Sequence, residues 1–308
     1  MSQLITKEQS RAGYAPDVEP VLRVRPGTGE LITFETDDAA YAQMEEFRDL
    51  SKLTATLNPV TGPVYVEGAQ PGDAIAVTIH EIELADQGWS ISIPGAGALA
   101  AVMGEEWHVR RISVRDGVVG LTDTISCPVA PMIGCIGVAP SEGEMSTVMP
   151  SYPTGGNMDL TDARPGSTVY LPVAVPGALL AIGDLHAVMS RGESSFVAIE
   201  IAGRATVSVD LVPGLALRAP RVDTGEELVC VGLGDPVQES IIRAYEDLFG
   251  VLTEDYAFSK QDAYTVMSAL AHTELGGPTG SVDPDPLHPF RARGQVTLAR
   301  IAKSVLQA

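Results

Sequence analysis

The sequence predicts a mainly β protein, a sandwich or barrel of short strands followed by a smaller C-terminal α/β part. Three observations carry this. Apolar residues alternate with period two in several short runs, turn-forming Gly, Pro and Asp residues punctuate those runs, and helical periodicity is confined to the region beyond Pro213-Gly214. The division falls at 1–212 for the β-rich body and 213–308 for the C-terminal part.

In chain order, Ile75, Val77 and Ile79 form the first clear alternating run, bounded upstream by Pro71-Gly72-Asp73. Val197, Ile199 and Ile201 form a second, and Val207, Val209 and Leu211 a third. Side chains two apart on a strand share a face, so each run offers one apolar face to a core. Asp116-Gly117 and Pro165-Gly166 supply further turns. Beyond residue 213, Asp235-Pro236-Val237-Gln238 reads as a capped helix start, with Val237, Ile241, Tyr245 and Leu248 at helical spacing. Ser259-Lys260-Gln261-Asp262 opens a second helix whose stripe of Ala263, Val266, Met267 and Leu270 is expected to run until Gly276-Gly277. A proline-rich connector, Pro278 to Pro289, then leads to last helical turns over Val296 to Leu306.

Composition bounds the function. Hydrophobic residues make up 45% of the 308 and charged residues 19%, which is globular. Forty acidic against 20 basic residues give a formal charge of −20, which repels phosphate backbones and anionic lipid heads, so neither nucleic acid nor a membrane is an expected partner. The start, Met1-Ser2-Gln3-Leu4-Ile5, lacks a basic, apolar leader, and the expected location is the cytoplasm. Cys127, Cys135 and Cys230 are odd in number and lack Cys-x-x-Cys spacing, which argues for reduced thiols. No Gly-x-Ser-x-Gly elbow or phosphate loop occurs, and nothing electropositive neighbours Cys135 in sequence to activate it as a nucleophile.

The chemistry concentrates in two segments, Gly155-Gly156-Asn157-Met158-Asp159 and Gly183-Asp184-Leu185-His186-Ala187. Asp184 and His186, two apart, project to one face of an extended segment, and Asp159 with the Asn157 amide can add ligands from a neighbouring loop. The competing reading of Asn157 and Asp159 is a turn capped by Asx side chains. Of the five histidines, His80, His108, His272 and His288 lie in plain contexts. Glu67 closes the Val64-Tyr65-Val66 run and reads either as an acid facing the cavity or as a solvated strand-end glutamate.

Both segments resemble the acetamidase/formamidase family. The resemblance also takes in Thr33-Phe34-Glu35-Thr36, Gly62-Pro63-Val64-Tyr65-Val66-Glu67-Gly68-Ala69-Gln70-Pro71-Gly72-Asp73, Pro131-Met132-Ile133-Gly134, Gly137-Val138-Ala139-Pro140, Leu171-Pro172-Val173 and Gly177-Ala178-Leu179-Leu180, and it covers roughly residues 20 to 212. It implies a jelly-roll-like, barrel-like β body, a homodimer, and a metal-dependent hydrolase that cuts carbon–nitrogen bonds of small linear amides, with larger amides or lactams as related substrates. The expected ligands are Asp184, His186, Asp159 and Glu67. Zinc is the expected metal, and calcium or manganese suit an oxygen-rich set. Glu193, in the position of a retained Gly-Glu pair, is the candidate general base, with Asn157 named beside it as catalytic. One departure stands out: Met189-Ser190-Arg191-Gly192-Glu193 replaces a family run Gln-Gly-Asp-Gly-Glu, putting a base where an acid is usual. Arg191 is the substrate-binding candidate, and it can equally balance Asp184 or face water. A non-catalytic small-molecule binder on the same scaffold, or a metal-dependent lyase or isomerase, is the alternative function.

Overall fold

The computed structural model of the chain describes residues 2–148, 152–277 and 295–306. Among them, one nine-stranded sheet runs from edge to edge through Gln3–Ile5, Ile32–Glu35, Gly203–Val212, Ala74–Leu84, Thr168–Pro172, Arg221–Asp223, Glu227–Gly234, Gln295–Ala302 and His272–Gly276. The second large sheet runs through Ser126–Pro128, Val118–Gly120, His108–Arg115, Gln87–Ser92, Glu200–Ile201, Ala178–His186, Met132–Gly137 and Gly155–Asn157, and Gly13–Tyr14 with Met145–Ser146 forms a small two-stranded one. Val60–Val66 joins the second large sheet alongside Ala178–His186 and carries Ser10–Arg11 and Leu22–Val24. Neither path closes on itself among the described residues, so the mainly β expectation holds but the barrel does not.

The period-two runs build the core as their spacing requires. Ile75, Val77 and Ile79 are fully buried, and the strand that carries them pairs in antiparallel register with Val207, Val209 and Leu211. Their cluster includes Ile133, Ile136, Leu180 and Ile182 of the second sheet, so the two sheets share one apolar interior. Each such side chain contributes about 1.5–3 kcal/mol on burial. The second run is mostly loop: of Val197 to Ile201 only Glu200–Ile201 is strand.

The C-terminal part departs from expectation in detail. Helix Val237–Gly250 is present, but Pro236 occupies its cap position and no side chain caps it. Helix Lys260–Leu270 is capped by Ser259, whose oxygen accepts from the Asp262 amide at 3.1 Å. That helix ends at Leu270 rather than at Gly276, and His272–Gly276 is a strand. The expected final helix is instead the strand Gln295–Ala302 with a 3-10 turn, Lys303–Val305. The proline-rich connector lies outside the described residues. The nine-stranded sheet crosses residue 212 without a break, since Thr168–Pro172 pairs with Arg221–Asp223.

Candidate functional site

The site forms where the buried strand Ala178–His186 meets three neighbours. Met132–Gly137 runs antiparallel to it, with Met132 opposite His186 and Cys135 opposite Gly183, and Gly155–Asn157 pairs with the far side of Met132–Gly137. On the other side Glu200 lies directly across from His186. Asp159 follows its strand into a loop whose Met158 and Asp159 amides both donate to the Gly134 carbonyl, at 3.0 and 3.2 Å. Strand register thus delivers the second and third acids to the histidine.

Five titratable side chains converge there, all buried: Asp159, Asp184, His186, Glu193 and Glu200. His186 Nε2 lies 3.3 Å from Glu200 Oε2, 3.6 Å from Asp184 Oδ1 and 3.9 Å from Asp159 Oδ1. Ligand-capable atoms of Asp184, His186 and Glu200 fall within 4.8 Å of one another, and so do those of Asp159, His186 and Glu193. Asp159, Asp184 and Glu193 have φ of +45°, +57° and +36°, a conformation that costs a non-glycine residue energy and that gathers at functional sites. Gly134 faces them across the sheet. A Cβ there would sit 2.5 Å from Asp184 Oδ2 and 2.7 Å from Asp159 Oδ1, so only glycine leaves the carboxylates their place.

A ring of donors orients the acids. Tyr41 Oη donates to Asn58 Oδ1 at 2.7 Å, and Asn58 Nδ2 donates to Asp184 Oδ2 at 3.3 Å. The Cys135 thiol donates to the same oxygen at 3.5 Å. With its amide nitrogen turned to Asp159, Asn157 donates to Oδ2 at 2.8 Å. Glu200 Oε1 accepts from the Ala198 amide at 2.9 Å. By contrast, His186 Nδ1 and Nε2 and Asp184 Oδ1 have no hydrogen-bond partner among the described residues. Unpaired polar atoms in a buried site are costly, which is the signature of a site shaped for a ligand.

Electrostatics point the same way. Burial, followed by the Asp184 carboxylate, pushes Asp159 up to about 8. Burial and the Asp159 carboxylate push Glu193 well above the ordinary carboxylate range, and burial raises Glu200. Burial opposes the His186 imidazolium, yet Glu200 and Asp184 outweigh it and hold that group well above its usual value. Among the described residues, those lining the cavity, including Tyr41, Met44, Leu57, Ile93 and Phe196, contain no Lys or Arg to offset the acids. A divalent cation would supply that offset, and it would draw the acids back to their ionised forms. The cavity, about 20 Å³, has room for an ion or a water. Donor set, orphaned histidine and glycine-made space all fit a metal.

The structure brings together Asp159, Asp184, His186, Glu193 and Asn157 of the sequence candidates. Glu67 is not among them. It is exposed at the end of Val60–Val66 and pairs with Arg25 at 3.3 Å, because the strand leaves the core at Val66. Arg191 does not line the cavity either: its guanidinium grips Asp162 with two bonds, at 2.7 and 3.1 Å, and reaches Glu274 at 3.2 Å. A fork already held by two acids is not free for substrate. Sequence reasoning missed Glu200, whose signal was a lone acid within Phe196-Val197-Ala198-Ile199-Glu200-Ile201-Ala202. Tyr41 and Asn58 left no local signal.

Fold and site together define a β protein of two large sheets with a buried carboxylate–imidazole centre able to hold a cation. The chain belongs to the acetamidase/formamidase family, whose model matches residues 2–148 and 142–225. It is similar to a predicted acetamidase/formamidase from Thermoanaerobacter tengcongensis at 30% identity and a TM-score of 0.86, covering 100% of this chain and 97% of that one. An acetamidase from Bacillus halodurans matches at 27% identity and a TM-score of 0.84, over 99% and 98% of the two chains. The acetamidase of Mycolicibacterium smegmatis is 26% identical over 265 residues, 65% of each chain. The chain spans 63–65% of the length of the curated relatives it matches.

Proposed function

We propose that this chain is a metal-dependent amidase that hydrolyses the carbon–nitrogen bond of small amides of formamide or acetamide type to a carboxylate and ammonia. The observation that carries the reading is the buried cluster around His186, whose two nitrogens make no hydrogen bond while three carboxylates converge within 3.9 Å of Nε2. Asp184, His186 and Glu200 would hold the ion, with Asp159 completing the set. Mixed oxygen and nitrogen donors suit zinc, and manganese or calcium is the alternative. When bound, the ion acts as a Lewis acid on the amide carbonyl and lowers the pKa of water.

The remaining chemistry falls to the chain. Glu193 takes the proton of the attacking water at its carboxylate and returns it to the leaving nitrogen, a task for which a buried carboxyl with a raised proton affinity is suited. Asn157 fixes the Asp159 carboxylate. Met44, Ile93, Phe196 and Val197 exclude bulk water and crowd out bulky acyl groups. The absence of a basic residue in the lining, among the described residues, disfavours substrates that carry a carboxylate.

The test is ammonia release from formamide, acetamide and larger amides, read with metal content. His186→Ala should lose ion and activity together, and full activity in metal-stripped protein defeats the reading. Glu193→Gln should keep the ion while turnover falls about 10²–10⁴-fold. Loss of the ion in that variant would make Glu193 a ligand instead.

A further inference from the structure

We propose that Arg191, Asp162 and Arg300 form an ionic clamp through which the C-terminal strands position the catalytic acids Asp159 and Glu193. The inference rests on the amidase reading above and adds positioning residues outside the cavity. Asp162 is buried, and both of its oxygens are engaged by guanidinium groups: Arg191 takes both, and Arg300 Nη2 donates to Oδ1 at 3.1 Å. Arg300, on the strand Gln295–Ala302, is itself buried and also pairs with Glu227 and, at 2.9 Å, with Glu274. Glu274 is shared with Arg191, so three acids and two bases close one network.

The network lies at both site loops. Asp162 follows Asp159 by three residues in the loop whose Ala163 carbonyl accepts from the Ile133 amide at 2.9 Å. Arg191 occupies the second position of the turn Ser190 to Glu193, closed by the Glu193 amide donating to Ser190 O at 3.2 Å. Gly192, at φ +85°, takes the third position, which requires a left-handed residue in a turn of this kind. Holding Arg191 therefore holds the turn that presents Glu193. Burial would raise the Asp162 carboxyl, but Arg191 and Arg300 outweigh it and keep it below the ordinary range. Asp162 is thus a fixed anion, with no proton to exchange with the centre. Arg191 is thus the residue that joins the two loops.

Groups that hold ligand-bearing residues in place are worth about 10–100-fold in metal affinity or turnover when removed. Arg191→Gln should therefore lower kcat on acetamide about 10-fold or more with little change in KM, and weaken Zn²⁺ binding by a similar factor in calorimetric titration of the metal-stripped protein. Arg191→Lys, which keeps the charge but not the fork, should recover part of both losses. Glu274→Gln, which removes the acid shared by Arg191 and Arg300, should show the same pattern more weakly and stands in if Arg191→Gln does not fold. Wild-type kcat and Zn²⁺ affinity in these variants, with only the thermal midpoint lowered, would overturn the clamp. A wild type that neither binds Zn²⁺ nor releases ammonia overturns the amidase reading as well, and it is recognised before any substitution is made.

Discussion

Asp159, Asp184 and Glu193 each hold a backbone conformation they would not choose in isolation, and the cost, of order 1–3 kcal/mol per residue, is borne by the strands around them. Gly134 is the complementary device: it removes a side chain so that two carboxylates can approach one point. Gly134→Ala should therefore displace Asp184 and Asp159 and abolish tight metal uptake while the far sheet remains folded. Metal analysis beside circular dichroism checks this, and a variant that binds the ion as wild type does would show that the carboxylates can yield. At this scale the sequence was legible where ligand types cluster, as in Asp184-Leu185-His186. It was silent where tertiary contact decides, as with Tyr41 and Asn58. Glu67 proves to be the solvated strand-end acid, because one acid after an apolar strand reads alike whether it turns inward or out.

Among the elements, the alternating strands Ala74–Leu84 and Gly203–Val212 were readable because one face of each is apolar and the other is not. The pattern of Gln295–Ala302 suits a helix as well as a strand, because it is buried on nearly every residue and a short continuous apolar run does not distinguish the two. His272–Gly276 was hidden for the opposite reason: it is a largely exposed edge strand without apolar alternation. Helix Lys260–Leu270 was legible at its start because the Ser259 cap is a local hydrogen bond. Ser259→Ala should cost about 1 kcal/mol in urea unfolding, the usual worth of such a cap, and leave turnover unchanged. An equal loss of activity would mean that this helix takes part in the site.

For the whole molecule, the metal-free state has a definite pH signature. Asp159 binds its proton up to about pH 8 when folded, against an ordinary value of 3.8. A raised folded-state pKa gives stability that is complete below the ordinary value and is lost as pH climbs through the folded one. Glu193, Glu200 and His186 are shifted in the same direction. Chelator-treated protein should therefore lose thermal stability between pH 5 and 8, and saturating metal should flatten that slope. A midpoint that rises over this window without metal would mean that the acids are not buried together. The division at residues 212 and 213 we propose as functional rather than as a folding boundary, since one sheet spans it.

The same proton-laden acids around His186 make loading of the centre an exchange reaction. An arriving cation must evict the protons it replaces, so uptake acidifies an unbuffered solution in proportion to the ions captured. Occupancy then depends on two concentrations at once, and at a fixed ion concentration a fall in ambient pH lowers it. A pH-stat titration counts the protons expelled per ion, and a count near zero would mean that the carboxylates already stood ionised and waiting.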